Sequence, residues 1–194
     1  MIRYARDVVI SLYGVWRLAH FDPRGYACFD LSPDGARRSF FAAVLVAPFY
    51  ALMLAVLPPA AQTTADAAAH GTLRPLLMEI IAYVITWTAY PVVVETLSRP
   101  LGVRKRFEGY LTAYNWSMVL QYAVFMPITI LVGLGWVPPD LGQLCWLVAF
   151  VLMFAFLWFV ARSALGVPPA TAAGLVILDV LLSMLIDGIT ISLS

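Results

Sequence analysis

Gln143 to Leu165 reads QLCWLVAFVLMFAFLWFVARSAL. It is the most uniformly apolar and aromatic stretch of the chain, with no charge before Arg162. A helix rises 1.5 Å per residue, so about 20 apolar residues cross the roughly 30 Å hydrocarbon layer of a bilayer. In lipid the backbone must satisfy its own hydrogen bonds, which a helix does. The stretch therefore reads as a transmembrane helix.

Its neighbours read the same way. Gly166-Val167-Pro168-Pro169 is a short turn, and a further span covers about 170–191. Upstream, Gly135 to Gly142 with Pro138-Pro139 is a tight turn after a span over about 115–134, which contains Pro127. Short turns make these three spans antiparallel neighbours. A basic loop, Ser98 to Tyr114, precedes them and follows a span over about 76–97, where Pro91 predicts a kink tolerated by neighbouring helices. The first span covers about 39–57 and ends at Pro58-Pro59. Within it Ala43, Ala47, Ala51 and Ala55 form a small-residue stripe that lets another helix approach closely. Residues 58–75 make an outer loop.

The N-terminal part has no span. Residues 2–19 read as an amphipathic helix with Val8, Val9, Leu12 and Trp16 at helical spacing. It lies in the membrane interface, with Tyr13 and Trp16 at headgroup level, or it packs on the inner face of the bundle. Asp7 interrupts any signal-peptide core, so cleavage is not expected. Residues 20–38 read as a loop, with turn signals at Asp22-Pro23 and Ser32-Pro33-Asp34-Gly35. The expected organisation is all-α and polytopic: a cytoplasmic amphipathic helix and loop over 1–38, then a five-helix transmembrane domain over 39–194.

Composition agrees. The chain of 194 residues is 62% hydrophobic and only 12% charged, about half the charge usual in soluble domains. Its mean hydropathy is +0.88. A net charge of +1 argues against a nucleic-acid partner. Eleven of the twelve basic residues fall on one side of the spans, leaving Arg74 alone on the other. The positive-inside rule then places the N-terminus in the cytoplasm and the C-terminus outside. Arginine outnumbers lysine 11 to 1 amid much Ala, Gly and Pro, a coding bias that points to a bacterial inner membrane.

Cys28 and Cys145 begin on opposite sides, so no disulfide is expected, and Cys145 reads as small buried filler. His20 and His70 are far apart, with no ligand-like spacing for a metal. No phosphate loop, nucleophile triad or paired helical histidines occur, so no catalytic residue and no cofactor are implied.

Carboxylates at membrane depth need a reason, since each costs about 2.5–3.5 kcal/mol at a helix centre. Glu95 has Arg99 four residues on, the favourable order for a helical ion pair. Glu79 and Asp187 lie within a turn of the outer surface, where they reach water or share an acidic patch if their spans touch. Asp179 sits at the centre of the last span. It bonds to Ser183, Thr86 or Thr88 as packing glue, or lines a wet cavity that moves protons or cations. Asn115 reads as a helix cap, Tyr110, Tyr114 and Trp116 as interfacial belt, and Gln121 as a bond across helices. On the inner side Arg37, Arg38, Arg104, Lys105, Arg106 and Trp16 are candidates for anionic lipid headgroups or a partner.

The five spans, the amphipathic N-terminus and the loop Leu101-Gly102-Val103-Arg104-Lys105-Arg106-Phe107-Glu108-Gly109-Tyr110 resemble the Yip (Ypt/Rab-interacting protein) membrane family, particularly its bacterial branch. Members have a similar Gly-basic-Phe loop leading to span three, and a proline inside that span, matched by Pro127. The resemblance covers most of the chain. It implies a non-enzymatic protein of membrane organisation or trafficking that binds protein or lipid partners or a second copy of itself, with no catalytic residues to carry over. The competing expectation is a small oligomeric transporter or channel built on Asp179, Glu79 and Asp187.

Overall fold

The helix expected over 2–19 forms as α1, Ile2–Ala19, at the N-terminus of a computed structural model that describes residues 2–56 and 73–193. A 3-10 helix at Pro23–Cys28, α2 (Pro33–Ser39) and α3 (Phe41–Val56) follow. Then come α4 (Leu73–Ser98), a 3-10 turn at Arg104–Arg106, α5 (Phe107–Gly133), α6 (Pro139–Leu165) and α7 (Pro169–Leu193). No strand occurs among the described residues. Among the described residues, five helical segments are long and apolar enough to cross a membrane. The chain is an all-α polytopic membrane protein. The loop expected over 58–75 lies, up to residue 72, outside the described residues, and His70 with it.

Helix α5 is the centre. It packs against α1, α2, α3, α4 and α6. Its first turns are therefore enclosed on nearly every side, and Tyr110 to Ser117 are all buried. Helix α6 packs on α5 and α7, as the short turns require, and α7 closes onto α4. The ends of α4 and α6 and the starts of α3, α5 and α7 share one end of the bundle with α1 and α2, here called the basic end.

Two expectations about local structure are corrected. Residues 20–38 are mostly helical. Ser32 accepts from the Gly35 N–H at 3.1 Å as the N-cap of α2, with Pro33 in the first turn. Asp22 accepts from the Arg24 N–H at 2.9 Å and caps the first 3-10 helix ahead of Pro23. Pro after a small polar residue signals a helix start as well as a turn. Asn115 is not a cap, because α5 begins at Phe107.

Helix α1 buries Ser11, Gly14, Val15 and Leu18 and leaves Val9, Leu12, Tyr13 and Trp16 exposed. One face thus packs on the bundle; of the apolar face noted in the sequence, Val8 packs against the core while Val9, Leu12 and Trp16 point away from it. The first 3-10 helix crosses α1 where two glycines meet: a Cβ on Gly25 would stand 2.6 Å from the Gly14 carbonyl oxygen. In α3 the core-facing residues are Ala42 and Val46; of the alanine stripe, Ala43 and Ala47 are half-buried and Ala51 is exposed. Cys145 is exposed on α6 and is not buried filler. Helix α4 continues through Pro91.

Candidate functional site

At the basic end, α1, α2, α3 and α5 enclose a cavity of about 710 Å³. Arg6, Arg37 and Arg38 line it together with Asp7 and Asp30. Its apolar side is made by Val8, Ile10, Phe40, Phe41 and Val44. The local folding explains this arrangement. Helix α2 breaks at Phe40, so the chain turns and sets Arg37 and Arg38 ahead of the first apolar turn of α3. Arg38 pairs with Asp30, while Arg37 makes only a loose contact with Asp34 at 3.5 Å between two largely exposed side chains. The Ser32 N–H and hydroxyl and the Arg38 guanidinium hold the Asp30 carboxyl below its ordinary range. An exposed pair of the Arg37 kind contributes little and is easily exchanged for a stronger anion.

Behind the cavity wall Asn115 is fully buried and donates to Ser39 Oγ at 2.8 Å. Ser39 in turn donates to the Ala36 carbonyl at 2.7 Å. This chain of bonds ties α5 to the junction of α2 and α3. Tyr26, on the first 3-10 helix, donates to the Val160 carbonyl at 3.0 Å and meets Ser163 Oγ at 2.9 Å. Burial pushes its phenol up to about 12.

The basic loop turns out to be structural at two of its four cations, Arg104 and Arg106. Arg104 bonds Glu108 at 2.7 Å and Glu95 at 3.4 Å, so Glu95 pairs with Arg104 and not with Arg99. The Arg106 guanidinium donates to the Leu165 carbonyl at 3.1 Å, at the C-terminus of α6. Gly166 follows at φ 67°, and a Cβ there would run into that guanidinium. A cation on a free helix C-terminus satisfies a carbonyl and the negative end of the helix dipole together. Lys105 is exposed. Trp16 packs against His20 at a tilt of 48°, ring centroids 4.4 Å apart, and does not line the cavity.

Among the intramembrane candidates, Asp179 accepts from the Tyr114 hydroxyl at 2.8 Å. That donor replaces the expected Ser183, Thr86 or Thr88. Thr88 instead donates to the Val84 carbonyl of its own helix at 2.8 Å, and Thr86 is half-buried on α4. The tyrosines assigned from sequence to the interfacial belt belong to the core. Tyr90 and Tyr110 share a hydrogen bond of 2.6 Å, and the rings of Tyr90 and Tyr114 lie 4.6 Å apart. Trp116 is buried too.

Farther out, Glu79 accepts from Tyr50 at 2.7 Å, bridging α4 and α3. Helices α4 and α7 do pack, as a shared acidic patch would require. Asp179, Ser183 and Asp187, spaced at four residues on α7, line a second cavity of about 280 Å³. Gln121 lines it from α5, its Nε2 directed to Met118 Sδ at 3.2 Å rather than across helices.

The fold and these two polar cavities define a polytopic helical membrane protein with an arginine-lined pocket at one end and carboxylates within the bundle. Compared with family models, curated proteins and solved structures, the chain matches none.

Proposed function

We propose that this is a non-enzymatic protein of the bacterial inner membrane, with its basic end in the cytoplasm, that binds anionic phospholipid from the inner leaflet. The basic-end cavity carries the reading. It joins three arginines to an apolar wall at the start of a membrane-crossing helix, which suits a phosphate on one side and the first acyl carbons on the other. Each basic residue near a lipid surface contributes about 1 kcal/mol. The eleven-to-one distribution of basic residues supports the orientation. A role in membrane organisation of the Yip-like kind is consistent with lipid capture, and Trp16 and Lys105 on the same end would rest at headgroup level.

The test is native mass spectrometry of purified protein with phosphatidylglycerol and with phosphatidylcholine. Phosphatidylglycerol should be retained selectively. Arg6→Gln with Arg37→Gln should lower retention about tenfold, while Lys105→Gln should not. Equal retention of both lipids, or no effect of the double variant, would sink the reading and leave this end to a protein partner.

A second reading, an oligomeric transporter moving protons or cations, is favoured by one observation: Asp179, Ser183 and Asp187 line a single cavity in the membrane-crossing region.

A further inference from the structure

The cavity between α5, α6 and α7 combines aromatic rings with carboxylates. Its apolar lining includes Phe125, Trp146 and Phe150, with ring centroids 5.0 Å apart for Phe125 and Trp146 and 5.8 Å for Trp146 and Phe150. Two carboxylates, Asp179 and Asp187, and no basic residue face the same space. Asp179 has Tyr114 to hold it. Asp187 is exposed at the cavity. The cavity is thus electronegative inside an apolar frame.

Depth can be read from the helices. Trp146 lies 20 residues before Gly166, and Asp187 lies 20 residues after Val167. The two antiparallel helices therefore bring the indole and the carboxylate to the same level, about 30 Å from the basic end. Asp179 is two turns deeper, about 12 Å along the axis. That separation is too long for both carboxylates to ligate one inorganic ion, whose ligands sit at about 2–2.6 Å. Aromatic faces, in contrast, attract organic ammonium groups, most strongly when water is excluded.

We propose that this cavity binds a lipophilic organic monocation, a quaternary ammonium or similar, entering from the end opposite the basic one. Its charge lies between the Asp187 carboxylate and the rings of Trp146 and Phe125, with Asp179 adding attraction from below. The proposal concerns binding and rests neither on the lipid reading nor on transport.

Equilibrium dialysis of the purified protein in dodecyl maltoside with radiolabelled benzyltrimethylammonium tests it. Neopentylbenzene, its neutral carbon isostere, is the competitor. Saturable binding is expected. Asp187→Asn should weaken it about tenfold and Trp146→Leu several-fold, with neopentylbenzene failing to compete. Both positions are partly exposed at the groove, so the variants should remain folded; monodisperse elution checks this. Asp179→Asn, deeper and bonded to Tyr114, is the second carboxylate variant. Affinity weaker than about 1 mM, competition by the neutral isostere, or unchanged binding in both Asn variants would overturn the proposal. The lipid experiment reads a different end of the molecule, so each can fail alone.

Discussion

Asp179 shows what a single buried carboxylate needs. Tyr114 supplies one donor from the neighbouring central helix. Removing it in Tyr114→Phe leaves the carboxylate without that partner, and a lost bond to a buried polar group costs about 1–3 kcal/mol. We expect a lower thermal midpoint, read by circular dichroism in detergent, and a smaller effect for Thr88→Val, whose hydroxyl serves its own helix. The need for a partner was legible in the sequence; the partner was not. Tyr114 sits near a basic loop, where an interfacial tyrosine is the ordinary reading, and only the enclosure of α5 by five other helices turns it inward. Asp22 gives a pH prediction. Its bond to Arg17, then the Arg24 N–H, holds its carboxyl below the ordinary aspartate range. The stabilisation is present above that ordinary, unfolded range and is lost as pH falls through the lower folded value. Pepsin cleavage at the adjacent exposed Phe21 should therefore rise as pH is lowered, and Asp22→Asn should be cut at a higher pH than the parent protein. Cleavage of the two proteins with the same pH dependence would remove this role.

Helix ends decide how the elements meet. Arg106 on the Leu165 carbonyl joins the start of α5 to the finish of α6. A cation at a helix C-terminus contributes about 0.3–1 kcal/mol, so Arg106→Gln should destabilise modestly. Gly166→Ala should cost more, because a left-handed residue with a Cβ pays about 1–2 kcal/mol in addition to the clash. Denaturation in mixed micelles gives the order; a neutral Gly166→Ala would refute the local geometry. Existence and direction of the spanning helices were readable because lipid demands a long apolar run. Their starts were less so. Helix α5 begins at Phe107 rather than 115 because its first turns are covered by protein, where Thr112, Asn115 and Ser117 find hydrogen-bond partners and apolar composition is not required. Helix α2 was hidden by Ser32-Pro33-Asp34-Gly35, four residues that serve equally as a turn and as a capped helix start.

At the scale of the whole molecule, charge and packing divide the chain into two ends. In single-cysteine variants lacking Cys28 and Cys145, Trp136→Cys in the α5–α6 turn should react with a membrane-impermeant maleimide in intact cells. Lys105→Cys should react only after permeabilisation. The reverse pattern would overturn the proposed orientation and put the arginine cavity outside. The cavities themselves were not legible in the sequence. Arg37 and Arg38 were visible as a basic pair, but Arg6 joins them only because α1 folds back over the first 3-10 helix and α5.

That folding back also sets an order of events during synthesis. The surface on which Val15 and Leu18 rest belongs in part to α5, whose first residue emerges from the ribosome 88 residues after Ala19. At about 5–20 residues per second, α1 waits of order ten seconds for its seat. Through that interval α1 has only the adjacent 3-10 helix against it, and the side that later meets α5 is open to whatever bilayer the first two spans have entered. The nascent protein thus presents to lipid a strip of α1 that the finished protein seats on α5.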